Sequence, residues 1–179
     1  MPVILSIVGK SGSGKTTLIE KLVPELKRRG MRIGTIKHSA HKIEMDKPGK
    51  DSWRHKQAGA DTVMVVAPHT IAMVKSMPSA NLEGIEKYFD DVDLVLTEGF
   101  KSGPMPKIEV FRQAAHSEPL CRGDDQLIAF VTDTTIDLGV PAFGLEDVAQ
   151  LADLIEERYR AARQFAGHRD PQLFTDISG

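Results

Sequence analysis

Short apolar runs alternate along the chain with longer stretches whose apolar residues recur every three or four positions. Val3 to Val8 (VILSIV) is a continuous apolar run bounded by glycine, the pattern of a strand buried on both faces. From Thr16 to Arg29 the spacing turns helical, with Leu18, Ile19, Leu22, Val23 and Leu26 on one stripe. Pro24 inside that stripe predicts a kink or a disturbed turn, and Gly30 after Lys27-Arg28-Arg29 predicts the C-terminal cap. Arg32 to Lys37 reads as a second strand. A polar stretch with Pro48-Gly49 follows, then a short helix from Asp51 to Gln57 closed by Gly59. Thr62 to Ala67 and Thr70 to Met77 read as strands, and the Pro68-His69 link between them predicts an antiparallel hairpin. Ser79 is placed to cap a helix running to about Phe89. Leu94 to Thr97, Ile108 to Phe111 and Leu127 to Val131 are further strands. Val148 to Phe165 is a helix with Val148, Leu151, Ala152 and Ile155 on one face.

Strands alternating with helices predict an α/β fold with helices on a mostly parallel sheet, made partly mixed by the hairpin at one side. At 179 residues the chain is expected to form one domain over residues 1–165, with a polar tail at 166–179. Composition narrows the class. Hydrophobic residues make up 41% and charged residues 27%, an ordinary globular balance. A formal charge of −2 excludes a protein that binds nucleic acid through bulk positive charge. The single cysteine, Cys121, excludes an internal disulfide framework and a four-thiolate zinc site. No apolar run approaches the roughly 18 residues of a membrane span. The Met1 to Val8 run lacks a basic leader and reads as a strand rather than a signal peptide, so the expected address is the cytoplasm.

The chemistry begins where the first strand ends. Gly9-Lys10-Ser11-Gly12-Ser13-Gly14-Lys15-Thr16 matches G-x-x-x-x-G-K-[ST] in full. Composition alone gives such a match about 4 × 10⁻⁵ of the time per window. A buried strand precedes it and a helix follows, as a phosphate loop requires. Its glycines let successive N–H groups turn toward phosphate oxygens, and the helix N-terminus adds its dipole. Lys15 is expected to reach the β- and γ-phosphates, and the Thr16 hydroxyl to ligate Mg²⁺. The fold class is therefore a three-layer, P-loop NTPase-like α/β fold. Lys10, at the second loop position, either reaches a nucleotide on a neighbouring subunit or steers anions as an exposed charge.

Such a site needs an acidic group at a neighbouring strand end. Glu98 follows Leu94-Val95-Leu96-Thr97 and fits, with Gly99 allowing close backbone approach to a phosphate. Asp93 precedes the same run and belongs at the far end of the strand. Asp46 is a candidate for a second-sphere Mg²⁺ contact, and Asp51 either shares that role or caps the helix it starts. His38 and His41 form H-x-x-H, without a third ligand nearby. They are read as contacts to phosphate or substrate, or as solvated loop residues. Trp53, in a polar segment, is either a packing residue or a surface on which a ring stacks. Asp133 follows a buried strand, where a carboxylate accepts from the guanine N1 and N2 donors that adenine lacks, although N-K-x-D is absent. The alternative for Asp133 is the start of a turn with Thr134.

Taken together, G-K-S-G-S-G-K-T-T, Lys37-His38, D-K-P-G-K-D-S-W-R-H-K-Q-A-G-A (Asp46 to Ala60), Leu96-Thr97-Glu98-Gly99-Phe100-Lys101 and Val131-Thr132-Asp133 resemble the MobB family. That family is associated with molybdopterin-guanine dinucleotide biosynthesis, and the resemblance spans about residues 3 to 160. It implies a dimeric GTP-binding protein with GTP and Mg²⁺ as ligands and at most a slow GTPase. It also implies an accessory role beside a MobA-type nucleotidyltransferase that attaches GMP to molybdopterin. It carries phosphate binding onto Gly12, Gly14, Lys15, Thr16 and Thr17, and a metal or water role onto Glu98. Catalytic weight then falls on Lys15 and Glu98. Lys37, His38 and Lys50 are placed near the second, anionic ligand. The polar tail has no counterpart in this pattern. The exposed hairpin edge adds to the expectation of a homodimer. Competing readings are a small-molecule kinase, which would need an Arg-bearing lid that Arg158, Arg160 and Arg163 do not supply, and a metallochaperone GTPase resting on Cys121 and His116.

Overall fold

The computed structural model describes residues 2–39, 43–77 and 82–167. His41, Ser79 and the tail from residue 168 lie outside them. The chain divides into two compact units, Met1–His38 with Tyr88–Gly179, and Ser39–Lys87.

The first unit is built on a six-stranded sheet. Its strands are β1 (Val3–Val8), β2 (Ile33–Lys37), β5 (Leu94–Glu98), β6 (Lys107–Phe111), β7 (Leu127–Thr132) and β8 (Ala142–Phe143), after β3 (Thr62–Ala67) and β4 (Thr70–Lys75) in chain order. They run in the order β2-β5-β1-β6-β7-β8, and every pairing is parallel. β8, two residues long, is too short to show a period in the sequence. The expectation of a partly mixed sheet is corrected here. β3 and β4 pair only with each other and form a separate two-stranded sheet. Exposed positions dominate both strands, with Val63 the one buried residue of β3, so their apolar pattern does not mark them as strands of a buried sheet.

Helices α1 (Lys15–Arg28) and α4 (Val148–Gly167) cover one face of the central sheet. Leu18, Leu22 and Leu26 of α1 and Leu151, Ala152 and Ile155 of α4 share a core with Leu5, Ile7, Leu96, Ile108, Val110 and Val131. Each buried leucine contributes roughly 1.5–3 kcal/mol. α1 continues through Pro24 without a break. Pro24 and Glu20, whose carbonyl loses its partner, are both exposed, so water takes the lost bond. At its end Met31 N–H donates to Leu26 O at 3.2 Å and Gly30 N–H to Lys27 O at 2.9 Å. With Gly30 at φ +84° this is a Schellman cap, as the sequence predicts. Arg29 then ties α1 to α4 through Asp153 at 2.6 Å and the Ala149 carbonyl at 2.9 Å.

On the opposite face the third layer is made of loops. Val8 and Leu127 pack with Cys121, Leu138 and Val140, and Phe111 stacks on Phe130 at 5.9 Å. Buried polar groups hold these loops and tie β1 to β5. Glu109 accepts the N–H of Cys121 at 2.8 Å, Lys107 pairs with Asp124 at 2.7 Å, and Ser6 Oγ and Thr97 Oγ1 share a hydrogen bond at 2.9 Å. At the foot of the sheet, Asp93 pairs with Arg32 at 3.0 Å, which puts it at the far end from the phosphate loop.

The second unit contains α2 (Asp51–Gln57), the β3–β4 hairpin and the short α3 (Leu82–Ile85). Asp51 is the first residue of α2 and Lys50 is its N-cap. Asp51 therefore places charge in the first turn rather than capping the helix.

Candidate functional site

β1 lies between β5 and β6, and the chain leaves it toward β2 on one side and later returns to β6 on the other. This is a switch point of a parallel sheet, where a crevice opens at the strands' carboxyl ends. The loop 9–14 turns there. Gly9 has φ +144°, and a Cβ on it would stand 2.4 Å from the Val110 carbonyl oxygen. Only glycine fits. Gly14, at φ +99°, forms the left-handed N-cap of α1, whose N-terminus therefore points into the crevice.

Lys15 folds back over its own loop and donates to the Lys10 carbonyl at 2.8 Å. Burial lowers its pKa from the ordinary lysine value. Glu98 opposes that shift, while Lys101 and Lys37 add to it. Thr16 Oγ1 donates to Glu98 Oε2 at 3.0 Å, and Lys37 Nζ lies 3.5 Å from Glu98 Oε1. The parallel register explains this meeting, because Glu98 is level with Ile7 of β1 and with Lys37 of β2. Lys15, Thr16, Lys37 and Glu98 thus form one cluster. A hydroxyl and a carboxylate at this separation are an oxygen-only donor set, which suits Mg²⁺.

Beyond Glu98, Gly99 adopts φ +110° and donates its N–H to Ile7 O at 3.1 Å. Its missing Cβ would stand 3.1 Å from His38 Cβ. Phe100 holds φ +55°, a strained value for this residue type, and its ring lies 4.5 Å from that of His38. His38 therefore belongs to the rim of the phosphate site, with its N–H on the Glu98 carbonyl at 3.0 Å. Ser11 presents its carbonyl to His116 Nε2 at 2.6 Å. Lys10 contributes its carbonyl, which also accepts the Ser13 N–H at 3.4 Å.

A cavity of about 170 Å³ adjoins the loop, lined by Ser13, Gly14, Thr17, Arg112, Leu145 and Glu146 among others. Ser13 Oγ is fully buried and has no hydrogen-bond partner among the described residues. A buried orphan hydroxyl beside a cavity asks for a polar ligand. Asp133 stands one residue past β7, where its Oδ1 accepts the Gln113 N–H at 3.0 Å and its Oδ2 lies 3.7 Å from Arg112 Nε. Asp133 does not line the cavity, whereas Arg112 and Glu146 do, and Glu146 is held by Lys21 at 2.7 Å.

Asp46 and Lys50 belong to the second unit. There Asp46 Oδ1 accepts the Lys47 N–H at 2.8 Å. Cys121 and His116 do not form a pair. Cys121 is buried with its N–H on Glu109, and burial pushes its thiol up to about 12, with Glu109 and Asp124 adding to the shift. Arg112 and Glu146 are missed by sequence reasoning, and His116 is named there only as a companion of Cys121. These residues come from two loops that only the sheet brings together, Arg112 and His116 after β6 and Glu146 after β8. Their one sequence signal is a charged or ring-bearing residue soon after a short apolar strand.

The comparisons point the same way as the geometry. Residues 4–133 match the family model described as "Molybdopterin guanine dinucleotide synthesis protein B". The chain is 42% identical over 156 residues to the molybdopterin-guanine dinucleotide biosynthesis adapter protein of Haemophilus influenzae, covering 86% of this chain and 87% of that one. It is 38% identical over 160 residues to the Escherichia coli adapter protein, covering 86% and 91%. A crystal structure of molybdopterin-guanine biosynthesis protein B superposes with a TM-score of 0.72 at 33% identity, over 88% of this chain and 99% of that one. No described helix is long and apolar enough to cross a membrane. With residues 4–133 matched by the family model and most of the chain covered by these relatives, the chain belongs to the MobB family, molybdopterin guanine dinucleotide synthesis protein B.

Proposed function

We propose that this protein, an adapter in molybdopterin-guanine dinucleotide biosynthesis by its family, binds GTP with Mg²⁺ and supports a MobA-type nucleotidyltransferase acting on molybdopterin. The observation that carries the nucleotide reading is the cluster of Lys15, Thr16 and Glu98 under the helix N-terminus. Lys15 supplies charge to the terminal phosphates, and the backbone N–H groups of Gly12 to Thr17 cradle the chain. Thr16 and Glu98 hold the Mg²⁺, which when bound neutralises phosphate charge. The base enters the cavity beside Thr17 and Arg112, where Ser13 Oγ gains a partner. Asp133 stands outside that cavity, and its Oδ2, the oxygen the Gln113 N–H leaves open, is assigned to the part of the guanine edge that projects beyond it. Lys37 and His38 stand on the rim of the Glu98 cluster, and Lys50, in the second unit, is assigned to the second, anionic ligand.

Among the described residues the Lys15, Thr16 and Glu98 cluster contains no glutamine to orient an attacking water and no arginine, which supports slow hydrolysis. The apolar hairpin residues Met64, Val65, Val66 and Ile71 are exposed and serve association with a second copy of the chain.

Equilibrium binding of fluorescent GTP and ATP analogues with Mg²⁺ tests this. Wild type is expected to prefer GTP about 10-fold, roughly 1.4 kcal/mol, and Lys15→Ala to lose about 100-fold in affinity, roughly 2.7 kcal/mol. Equal binding of both nucleotides would remove Asp133 as the base reader and favour a kinase.

A further inference from the structure

The stretch from Asp46 to Ala60 carries much of the family resemblance, yet the nucleotide site does not use most of it. In the Ser39–Lys87 unit this stretch lines a slot of about 240 Å³. That is below the roughly 300 Å³ at which pockets for drug-sized ligands begin, and it suits one flat ring system. Trp53, Val63 and Val74 form apolar walls, and Met45, 82% exposed, stands on the open side. Glu44, Asp46 and Gln57 form a polar rim. The slot's one lysine, Lys56, turns its ammonium to the Ala60 and Asp61 carbonyls and to Ser76 Oγ. Among the described residues neither Glu44 nor Asp46 forms an ion pair. A carboxylate left unneutralised beside an aromatic wall is suited to a neutral ring edge that carries adjacent N–H donors. An open trough of about 550 Å³ adjoins the slot and shares Asp46, Ser52 and Val63 with it. Lys47, Lys50 and His55 line the trough, and its Asp51 is engaged by Arg54.

We propose that this unit binds a pterin, with the 2-amino-4-oxopyrimidine edge against Glu44 in the Trp53 slot and an anionic side chain over Lys47 and Lys50. The proposal rests on the reading that this protein meets molybdopterin, and it assigns that ligand a place. Guanine carries the same ring edge, so the test separates the two sources.

Trp53 is the only tryptophan in the chain, so intrinsic fluorescence reports from the slot. The full-length protein is titrated with pterin-6-carboxylate, with the matching lumazine, in which an oxo group replaces the 2-amino donor, and with GMP. The GMP arm uses Lys15→Ala protein, which silences the phosphate loop. Expected are saturable quenching by the pterin that weakens with salt, and at least 10-fold weaker binding of both lumazine and GMP. Glu44→Gln, whose side chain is exposed and whose unliganded emission and Tm serve as folding controls, is expected to lose about 10-fold. Lys15→Ala protein is expected to keep the pterin titration while losing GTP, so either site can fail without the other. Absence of saturable quenching, equal pterin and lumazine affinities, an unchanged Glu44→Gln titration, or GMP binding tighter than pterin would each overturn the proposal.

Discussion

The two units of the chain use apolar residues in opposite ways. In the first, β1, β5, β6 and β7 are buried almost throughout, and the leucines of α1 and α4 close one core over them. In the second, only Val63 of β3 is buried, and α2 buries none of its residues. Met64, Val65, Val66 and Ile71 stay in solvent. The first unit satisfies itself and positions the loop proposed to bind phosphate at the end of a buried sheet. The second leaves apolar surface unspent, which is how a segment made to meet ligands or partners differs from one made to hold a shape. The same contrast extends to glycine. In the phosphate loop a glycine is required by its neighbours as well as by its dihedral angle, whereas in the second unit only the dihedral angle matters.

The largest expected effect separates those two kinds of glycine. In Gly9→Ala the new Cβ meets the Val110 carbonyl at 2.4 Å in a backbone with φ +144°. Overpacking and backbone strain together are expected to cost about 3 kcal/mol or more, and nucleotide binding is lost with the loop geometry. Gly49→Ala has φ +86° but open space around the new atom. It is expected to cost only about 1–2 kcal/mol and to leave GTP binding intact. Denaturant unfolding and GTP titration of both variants check the contrast, and equal losses would break it.

A smaller effect on stability, with a large effect on assembly, is expected at the hairpin. Val66 and Ile71 face each other across β3 and β4 and are 69% and 65% exposed. The double variant Val66→Lys, Ile71→Glu keeps a cross-strand attraction and removes the apolar patch. Its stability is expected to change by no more than about 0.5 kcal/mol. The proposed dimer is expected to become a monomer by light scattering. A dimer that survives would move the interface elsewhere and sharpen the question of what the exposed strands meet.

Much of this was legible along the chain, for identifiable reasons. The phosphate loop and Glu98 could be read because each lies at the end of a continuous apolar run, and a local motif fixes the backbone there. Asp93 could be assigned to the far end of its strand by its position before the run. The hairpin's existence was legible from its two-residue link, but its separation from the main sheet was not. VMVVA and TIAMV look like core strands by composition, and only the fold reveals that most of their positions are exposed. The continuity of α1 through Pro24 depended on which side of the helix faces water. His116 on Ser11, and Arg112 and Glu146 beside the cavity, depended on parallel register among strands far apart in sequence. The two-unit division was hidden for the same reason as the hairpin's independence, since pattern shows which residues are apolar and not which ones find partners.

The smallest expected effect is also the most specific to the phosphate site. Burial holds the Lys15 pKa below its ordinary 10.5, and Lys101 and Lys37 add to the depression while Glu98 offsets part of it. A bound triphosphate adds negative charge beside the ammonium and favours its charged form. Binding therefore takes up a proton at alkaline pH. Affinity is fully present below the depressed pKa of the free protein and falls as pH rises through it, in a window that opens below 10.5. Guanine loses its own N1 proton in the alkaline range, so a control must share that loss. Lys15→Arg stays charged throughout and meets the same guanine ionisation, at the cost of a weaker baseline because its planar fork fits the loop less well. The difference between the two pH profiles then reports Lys15 alone. A several-fold steeper decline in the wild type is expected from Mg-GTP titrations across that window. Parallel profiles would mean that Lys15 is not desolvated in the free loop, and the buried, backbone-built character that sets this unit apart from the hairpin unit would not extend to its central charge.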